Sequence, residues 1–385
     1  MLFSNLELKT LSAERQTLNA DVIEKDKMSL LGDTISAIQP QNAAARAKAK
    51  TRLDQLTMPH WALGRLMDMA LDLAGQTGTI TPDLNKKAIV VMAGDHGVVA
   101  EGVSKYPQDV TWQMVANFVN HGAGINALAA QAGADVIVVD MGVVRGLDDM
   151  ACSGAILSMP VAKGTGNIAK GPAMSREQAV QTIENGILIA QQLILEKGYA
   201  VLGVGEMGIG NTTPSSAMIA ALTGKPVAAV TGTGTGLNSE ELRHKIAVIE
   251  AALKVNSVNP ADGLDVLAKL GGFEIGGIAG VILGAAALRK PVIIDGLITT
   301  AGAMIAAALC PTSVEFIFAA HKSVEQGHIV ALEQLGKEPL LDLNFRLGEG
   351  TGAAVAMNLI DAAVAVLTQV KTFEEAMVSK GPSVI

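Results

Sequence analysis

The chain has 385 residues, 49% of them hydrophobic, a net charge of −8 and two cysteines. That length and apolar content suit one large domain, or one large and one small. An acidic balance without a basic tract argues against nucleic acid as a partner. Cys152 and Cys310 make no disulfide framework, so a reduced, cytoplasmic compartment is expected. The start, Met1–Glu7, has no basic segment leading into an apolar core, and Leu297–Cys310 is too short and too rich in Gly and Ala to span a bilayer; no membrane is expected.

Residues 1–35 are mixed and polar, with leucines spaced for a helix or two. Gln41–Leu56 favours helix by propensity. Pro59 interrupts, and Ala62–Ala74 resumes with Leu63, Leu66, Met67, Ala70 and Leu71 at helical spacing. From Lys87 the pattern changes to short apolar runs, each followed by small or polar residues. They are Ala88–Met92, Asp135–Asp140, Tyr199–Val204, Pro226–Val230, Pro291–Ile294 and Val314–Phe318, and Leu341–Leu343 is read the same way. Helical patterns lie between most of them. Continuous β-branched runs alternating with helices predict an α/β fold: strands buried on both faces in a mostly parallel sheet, with helices on each side. Ala353–Leu367 and Phe373–Met377 read as helices that return to the N-terminal ones. Three parts are expected: an N-terminal helical part over 1–80, a large α/β part over 81–352 and a helical tail over 353–385.

The glycines, acids and hydroxyls fall after the strands, where ligands bind in open α/β sheets. Glu349 stands between Gly348 and Gly350, ahead of an apolar helix. One reading makes it a partner of the helix dipole. The other makes it a functional carboxylate, its pKa raised by an apolar setting; its place after a strand favours the second. Gly203-Val204-Gly205-Glu206-Met207-Gly208 matches the dinucleotide fingerprint, a weak signal alone. Glu206 puts a carboxylate where pyrophosphate would lie, and the next strand ends at Thr231 without an acid for a ribose. An NAD-dependent oxidoreductase is therefore the rival reading. Thr231–Gly236 is a Gly/Thr loop ahead of a helix from Ser239, and its N–H groups suit a phosphate, with Lys245 adding charge. Ser323 and Glu325 either touch substrate or cap a helix. Gly224-Lys225-Pro226 is not a nucleotide-binding P-loop. Asp95-His96 lacks a third metal ligand and reads as a loop anchor or active-site pair. No metal or cofactor is expected.

A resemblance joins these motifs. Ala93-Gly94-Asp95-His96-Gly97-Val98-Val99-Ala100-Glu101-Gly102-Val103-Ser104, Pro107-Gln108, Gly205-Glu206-Met207-Gly208-Ile209-Gly210-Asn211-Thr212-Thr213, Asp295-Gly296 and Arg346-Leu347-Gly348-Glu349-Gly350-Thr351-Gly352 follow in that order. The chain, from about residue 50 to 378, closely resembles the nicotinate-nucleotide–dimethylbenzimidazole phosphoribosyltransferases, which prepare the lower ligand of cobamides such as vitamin B12. The resemblance implies a Rossmann-like large domain, a small helical domain from both chain ends, and a homodimer or a heterodimer with a paralogue. It implies nicotinate mononucleotide and an aromatic base as partners. It places Glu349 as the catalytic base and Glu206 as a second active-site carboxylate. It puts Gly208, Gly234, Lys245 and Ser323 around phosphate and ribose, with Thr233 on the same loop. It makes Asp295 a further site residue, and Tyr106, Met114 and Met207 the lining of the base pocket; Leu347, with the pocket methionines, is expected to desolvate Glu349 and contact substrate.

Two departures bear on the acceptor. Many members carry Lys-Pro-Pro-Gly-Ser-Leu-Gly-x-Leu-Glu near the start, where this chain has Met58-Pro59-His60-Trp61-Ala62-Leu63-Gly64-Arg65-Leu66-Met67. Tyr106 and Met114 also make the pocket less polar than in members with Ser and Gln there. The acceptor is thus open between benzimidazole-type bases and phenols, and some relatives work on phenols as hetero-pairs.

Overall fold

The computed structural model describes residues 30–234 and 236–379. Helix α1 (Ala43–Leu53) begins where the Asn42 side chain accepts the N–H of Ala45 at 2.9 Å, the usual device for an orphan donor at a helix start. Helix α2 (Arg65–Thr77) buries Met67, Ala70, Leu73 and Ala74 on one face and stops at Gly78, whose φ of 75° suits a glycine. The first lies inside the stretch expected to be helical, and the second starts inside its own and runs three residues past Ala74. A helix also covers residues 30–37, in the segment read as a helix or two; the rest of that segment, 1–29, lies outside the described residues.

The α/β part follows in order: β1 (Lys87–Gly94), α3 (Val110–Val119), α4 (Gly124–Gln131), β2 (Ala134–Gly142), β3 (Leu157–Ser158), α5 (Arg176–Gln191), β4 (Val201–Met207), α6 (Thr212–Thr223), α7 (Ser239–Asn256), α8 (Gly263–Leu270), α9 (Phe273–Ala287), β5 (Val292–Ile294), α10 (Leu297–Leu309), β6 (Ile317–Ala319), α11 (Gln326–Leu335) and α12 (Thr351–Gln369). The strands form one sheet in the order β3-β2-β1-β4-β5-β6, and every pairing is parallel. This is the order of doubly wound nucleotide-binding sheets, and it places a crevice where the winding reverses, between β1 and β4.

The apolar run of β1 shows why the sheet is buried on both faces. Successive side chains of a strand point to opposite faces. Ala88, Val90 and Met92 join one apolar cluster with α5, α9 and α10. Ile89, Val91 and Ala93 join the other, with α1, α2, α4 and α12. Arg52 ties the two chain ends together: its guanidinium donates to the carbonyls of Leu367 and Val370 and pairs with Glu375. Helix α12 alone among the described residues is long and apolar enough to cross a membrane; here Ala353, Ala356, Met357, Ile360 and Ala363 bury its face inside the protein.

Four expectations fail locally. Pro226–Val230 is not a strand. Val227–Val230 is a helical turn, because β5 pairs directly with β4 and leaves no seat between them. Only the end of Val314–Phe318 is strand, since a 3-10 turn opened by Pro311 runs to Phe316. Leu341–Leu343 makes a single bridge, Leu341 to His321; Asp342, Leu343 and Asn344 face solvent and bury nothing. Phe373–Met377 is a series of turns, where the Glu375 carboxylate takes the N–H of Thr372 at 2.8 Å in place of a helical ladder. The two-residue strand Leu157–Ser158, beside β2, carries no readable signal at that length.

Candidate active site

Glu349 sits on three successive left-handed residues: Gly348 at φ 83°, Glu349 at 64° and Gly350 at 87°. Glycine adopts this region freely, whereas a side chain there costs ~1–2 kcal/mol. The surroundings hold the strained turn. The Asp295 carboxylate, after β5, accepts the N–H groups of Gly352 at 2.7 Å, Ala353 at 3.2 Å and Gly350 at 3.3 Å. It thereby satisfies the start of α12, whose own first residues offer no cap. The Thr351 hydroxyl donates to the Gly348 carbonyl at 2.8 Å. Gly205 of β4 lies so close that a Cβ there would fall 2.3 Å from the Glu349 carbonyl oxygen.

The turn aims Glu349 away from its own helix. Its Oε2 accepts the N–H of Ile125, in the first turn of α4, at 3.2 Å. The carboxylate does partner a helix N-terminus, but a different helix from the one its sequence position suggests. Burial raises its pKa, the Ile125 N–H pulls it down and the charge of Asp295 pushes it up, so the net shift is upward.

Glu206, near the end of β4, is perturbed more. Burial pushes its carboxyl up to about 8; the Asn211 amide, which donates to its Oε2, opposes this, and Asp295, Glu274 and Glu349 add repulsion. At neutral pH Glu206 is therefore mostly a neutral acid. Glu349 is half of the same acidic group but holds a backbone donor. Two carboxyls whose surroundings push them apart are suited to different tasks.

Both carboxyls line a cavity of about 420 Å³ beyond the ends of β4, β5 and β6. Tyr106, Val110, Met114, Met207 and Leu347 supply its apolar lining. Gly208, Gly234 and Ser323 also line it, with Asn211, Thr212, His321, Glu325 and Arg346. Three expected site residues stand outside the lining. Asp295 lies behind it, holding the Glu349 turn. Lys245 on α7 is fully buried and donates to the Thr212 hydroxyl at 2.6 Å. Burial lowers its pKa to about 8 against the pull of Glu325. Thr233 is exposed and makes no part of the wall. The Gly234 N–H donates to Glu325 at 2.9 Å, so Glu325 both borders the cavity and braces the Gly/Thr loop.

Asp95 and His96 are also outside the lining. His96 pairs with Glu274 at 2.7 Å and Asp95 accepts the Val144 N–H at 2.8 Å, all three buried. They brace the end of β1, as a loop anchor does. Among the described residues no three His, Cys, Asp or Glu side chains are placed to hold a metal.

A family model described as phosphoribosyltransferase matches residues 38–378. The nicotinate-nucleotide–dimethylbenzimidazole phosphoribosyltransferase of Syntrophotalea carbinolica is 59% identical over 92% of this chain and all of its own. That of Desulfotalea psychrophila is 57% identical over 91% of this chain and 99% of its own. A crystal structure of such an enzyme from Thermus thermophilus superposes with a TM-score of 0.83 at 45% identity, covering 88% of this chain and all of that one. The chain belongs to the nicotinate-nucleotide–dimethylbenzimidazole phosphoribosyltransferase family.

Membership makes the chain a phosphoribosyltransferase and disposes of the oxidoreductase reading, and the glycines of the fingerprint say why. A Cβ at Gly203 would strike Ile89 and crowd Ala353 and Met357. At Gly205 it would strike the Glu349 turn, and at Gly208 the carbonyl of Gly94. The first two let α12 and its strained turn approach β4, and the third lets the ends of β4 and β1 meet. In this phosphoribosyltransferase the spacing serves close packing around Glu349 rather than a pyrophosphate. His321, which no sequence motif marks, also lines the cavity. It lies two residues after β6, with Nε2 3.5 Å from Asp295 and its ring stacked 6.0 Å from that of His328. Its position directly after an apolar run was the only available signal.

Proposed function

We propose that the chain moves the 5-phosphoribosyl group of nicotinate mononucleotide to a benzimidazole-type base, giving an α-riboside phosphate for cobamide assembly. The observation that carries this is the pair of buried carboxyls in one cavity, Glu349 on a backbone N–H and Glu206 largely neutral, in a chain 59% identical to an enzyme named for that reaction. The pyridinium of the donor is already cationic and leaves as a neutral ring as the C1′–N bond breaks, so no acid need protonate it. A ring nitrogen of the acceptor attacks C1′ from the opposite face and inverts it. The other ring nitrogen becomes acidic as the bond forms, and Glu349 takes its proton. Glu206, neutral, donates a hydrogen bond within the cavity and adds no second negative charge beside the base. Gly208, Gly234, Ser323 and buried Lys245 seat the phosphate and ribose, with Thr212 passing the influence of Lys245 to the cavity wall. This positions C1′ for attack.

A second acceptor class has a specific support. Tyr106, Met114, Met207 and Leu347 give the acceptor end an apolar lining that desolvates a phenol as readily as a benzimidazole. A phenol, with a pKa of about 10 like that of Tyr, must lose its proton during attack and so depends more on Glu349. Turnover of nicotinate mononucleotide with dimethylbenzimidazole, adenine, phenol and p-cresol, by the purified chain alone and with any paralogue, tests both readings. Release of nicotinate with dimethylbenzimidazole is expected; release only with phenols would displace the first reading.

The segments 30–80 and 353–379 are read as one small, mostly helical unit beside the α/β body, supported by the ties from Arg52 to the carbonyls at the end of α12. The protein is proposed to be cytoplasmic and to work as a homodimer. Light scattering of the purified chain should give twice the monomer mass, and the monomer mass would argue for a heterologous partner.

A further inference from the structure

The cavity wall is rich in acid. Glu325 and Glu349 border it, Asp295 stands behind, and Glu206 adds a carboxyl that is largely neutral. Arg346 is the single Lys or Arg side chain among the described lining residues. It lies three residues before Glu349, beside Leu347, and is exposed at the rim. It takes part in none of the ion pairs among the described residues; Lys245 is turned inward to Thr212, and nearby Lys322 is already paired with Asp342.

This inference rests on the proposed reaction. A donor whose ring bears a carboxylate brings a further negative charge into this acidic site. Repulsion from the wall disfavours it unless a cation meets it. A guanidinium with no ion-pair partner among the described residues can form two parallel N–H···O bonds to a carboxylate without first breaking such a pair. The freed nicotinate keeps that carboxylate after the C1′–N bond breaks, and a rim cation can stay with it on the way out.

We infer that Arg346 is the carboxylate-recognising residue of the donor site, and that it sets the preference for a pyridine-3-carboxylate over the corresponding carboxamide. Its contribution falls on ground-state binding of the ring, whereas Glu349 acts on the transfer step.

The test compares Arg346→Gln and Arg346→Lys with wild type, using nicotinate and nicotinamide mononucleotides as donors and free nicotinate and nicotinamide as ligands. In R346Q the KM for nicotinate mononucleotide should rise about tenfold or more, the scale of losing a charge-assisted pair. kcat should hold within a few-fold, and the nicotinamide donor should lose far less. R346K should fall between, since it restores charge without the bidentate fork. Free nicotinate should bind wild type and lose about the same factor in R346Q. Equal losses for both donors, or nicotinate binding unchanged in R346Q, would overturn the assignment. The binding arm does not depend on turnover. A wild-type chain that binds nicotinate through Arg346 but transfers no ribosyl group refutes the proposed reaction and leaves this assignment standing.

Discussion

Glu349 and Glu206 carry the same functional group and differ through what touches each. Glu349 has a backbone N–H at 3.2 Å and Glu206 an amide side chain, and more neighbouring carboxylates repel charge on Glu206. Replacing Glu349 with Gln keeps the shape and removes the base. We expect kcat to fall by ~10²–10⁴-fold, the range for a general base, with donor affinity unchanged; near-normal turnover would refute the role. Glu206 has a pH signature. Its pKa is 4.5 in an ordinary setting and about 8 in the folded chain. The folded state thus holds a proton that the unfolded chain releases above 4.5, so the stability this group lends is full below that value and is lost as pH rises toward 8. Glu206→Gln should flatten that decline in melting temperature. If the neutral form is the working one, it should also remove an alkaline fall in kcat near pH 8. Melting curves of wild type and variant that stay parallel from pH 5 to 9 would show that Glu206 is not the titrating group.

The Glu349 turn is an element made by two partners. β4 supplies the gap at Gly205 and the end of β5 supplies the carboxylate of Asp295. Gly205→Ala would place a Cβ against the Glu349 carbonyl. Overpacking of a tight core costs ~1–3 kcal/mol, and here the relief is a shifted turn. The expected outcome is a lower melting temperature together with a kcat loss larger than the KM change. A variant that melts lower but retains full kcat would mean the turn tolerates displacement. The glycine spacing of Gly203–Gly208 was legible in the sequence, but its purpose was not. Periodicity records that glycines are there, and only the packing of α12 against β4 tells which backbone approaches them.

The whole molecule is a two-faced parallel sheet, with α1, α2 and α12 on one face and Leu31 and Ile38 in the cluster on the other. Arg52 joins α1 to the C-terminal stretch through the Leu367 and Val370 carbonyls and Glu375. Arg52→Ala should cost ~1–3 kcal/mol, since part-buried carbonyls lose a charged donor, and lower the melting temperature by a few degrees while kcat holds. An unchanged melt would show that the chain ends are held by apolar packing alone.

The sheet was legible because continuous apolar runs have one stable placement, buried on both faces, and because acids and glycines cluster after strands. The runs at Pro226–Val230 and Leu341–Leu343 misled because strand-like composition becomes strand only where a neighbour offers a free edge. By itself the sequence determined the α/β class, the family and the motif around Glu349, since these rest on local pattern and on order along the chain. The tertiary structure alone decided which helix Glu349 faces, which of the two carboxyls is neutral, and that Asp295 serves the turn rather than the cavity wall. Those depend on burial and on the charges brought together from strands far apart in sequence.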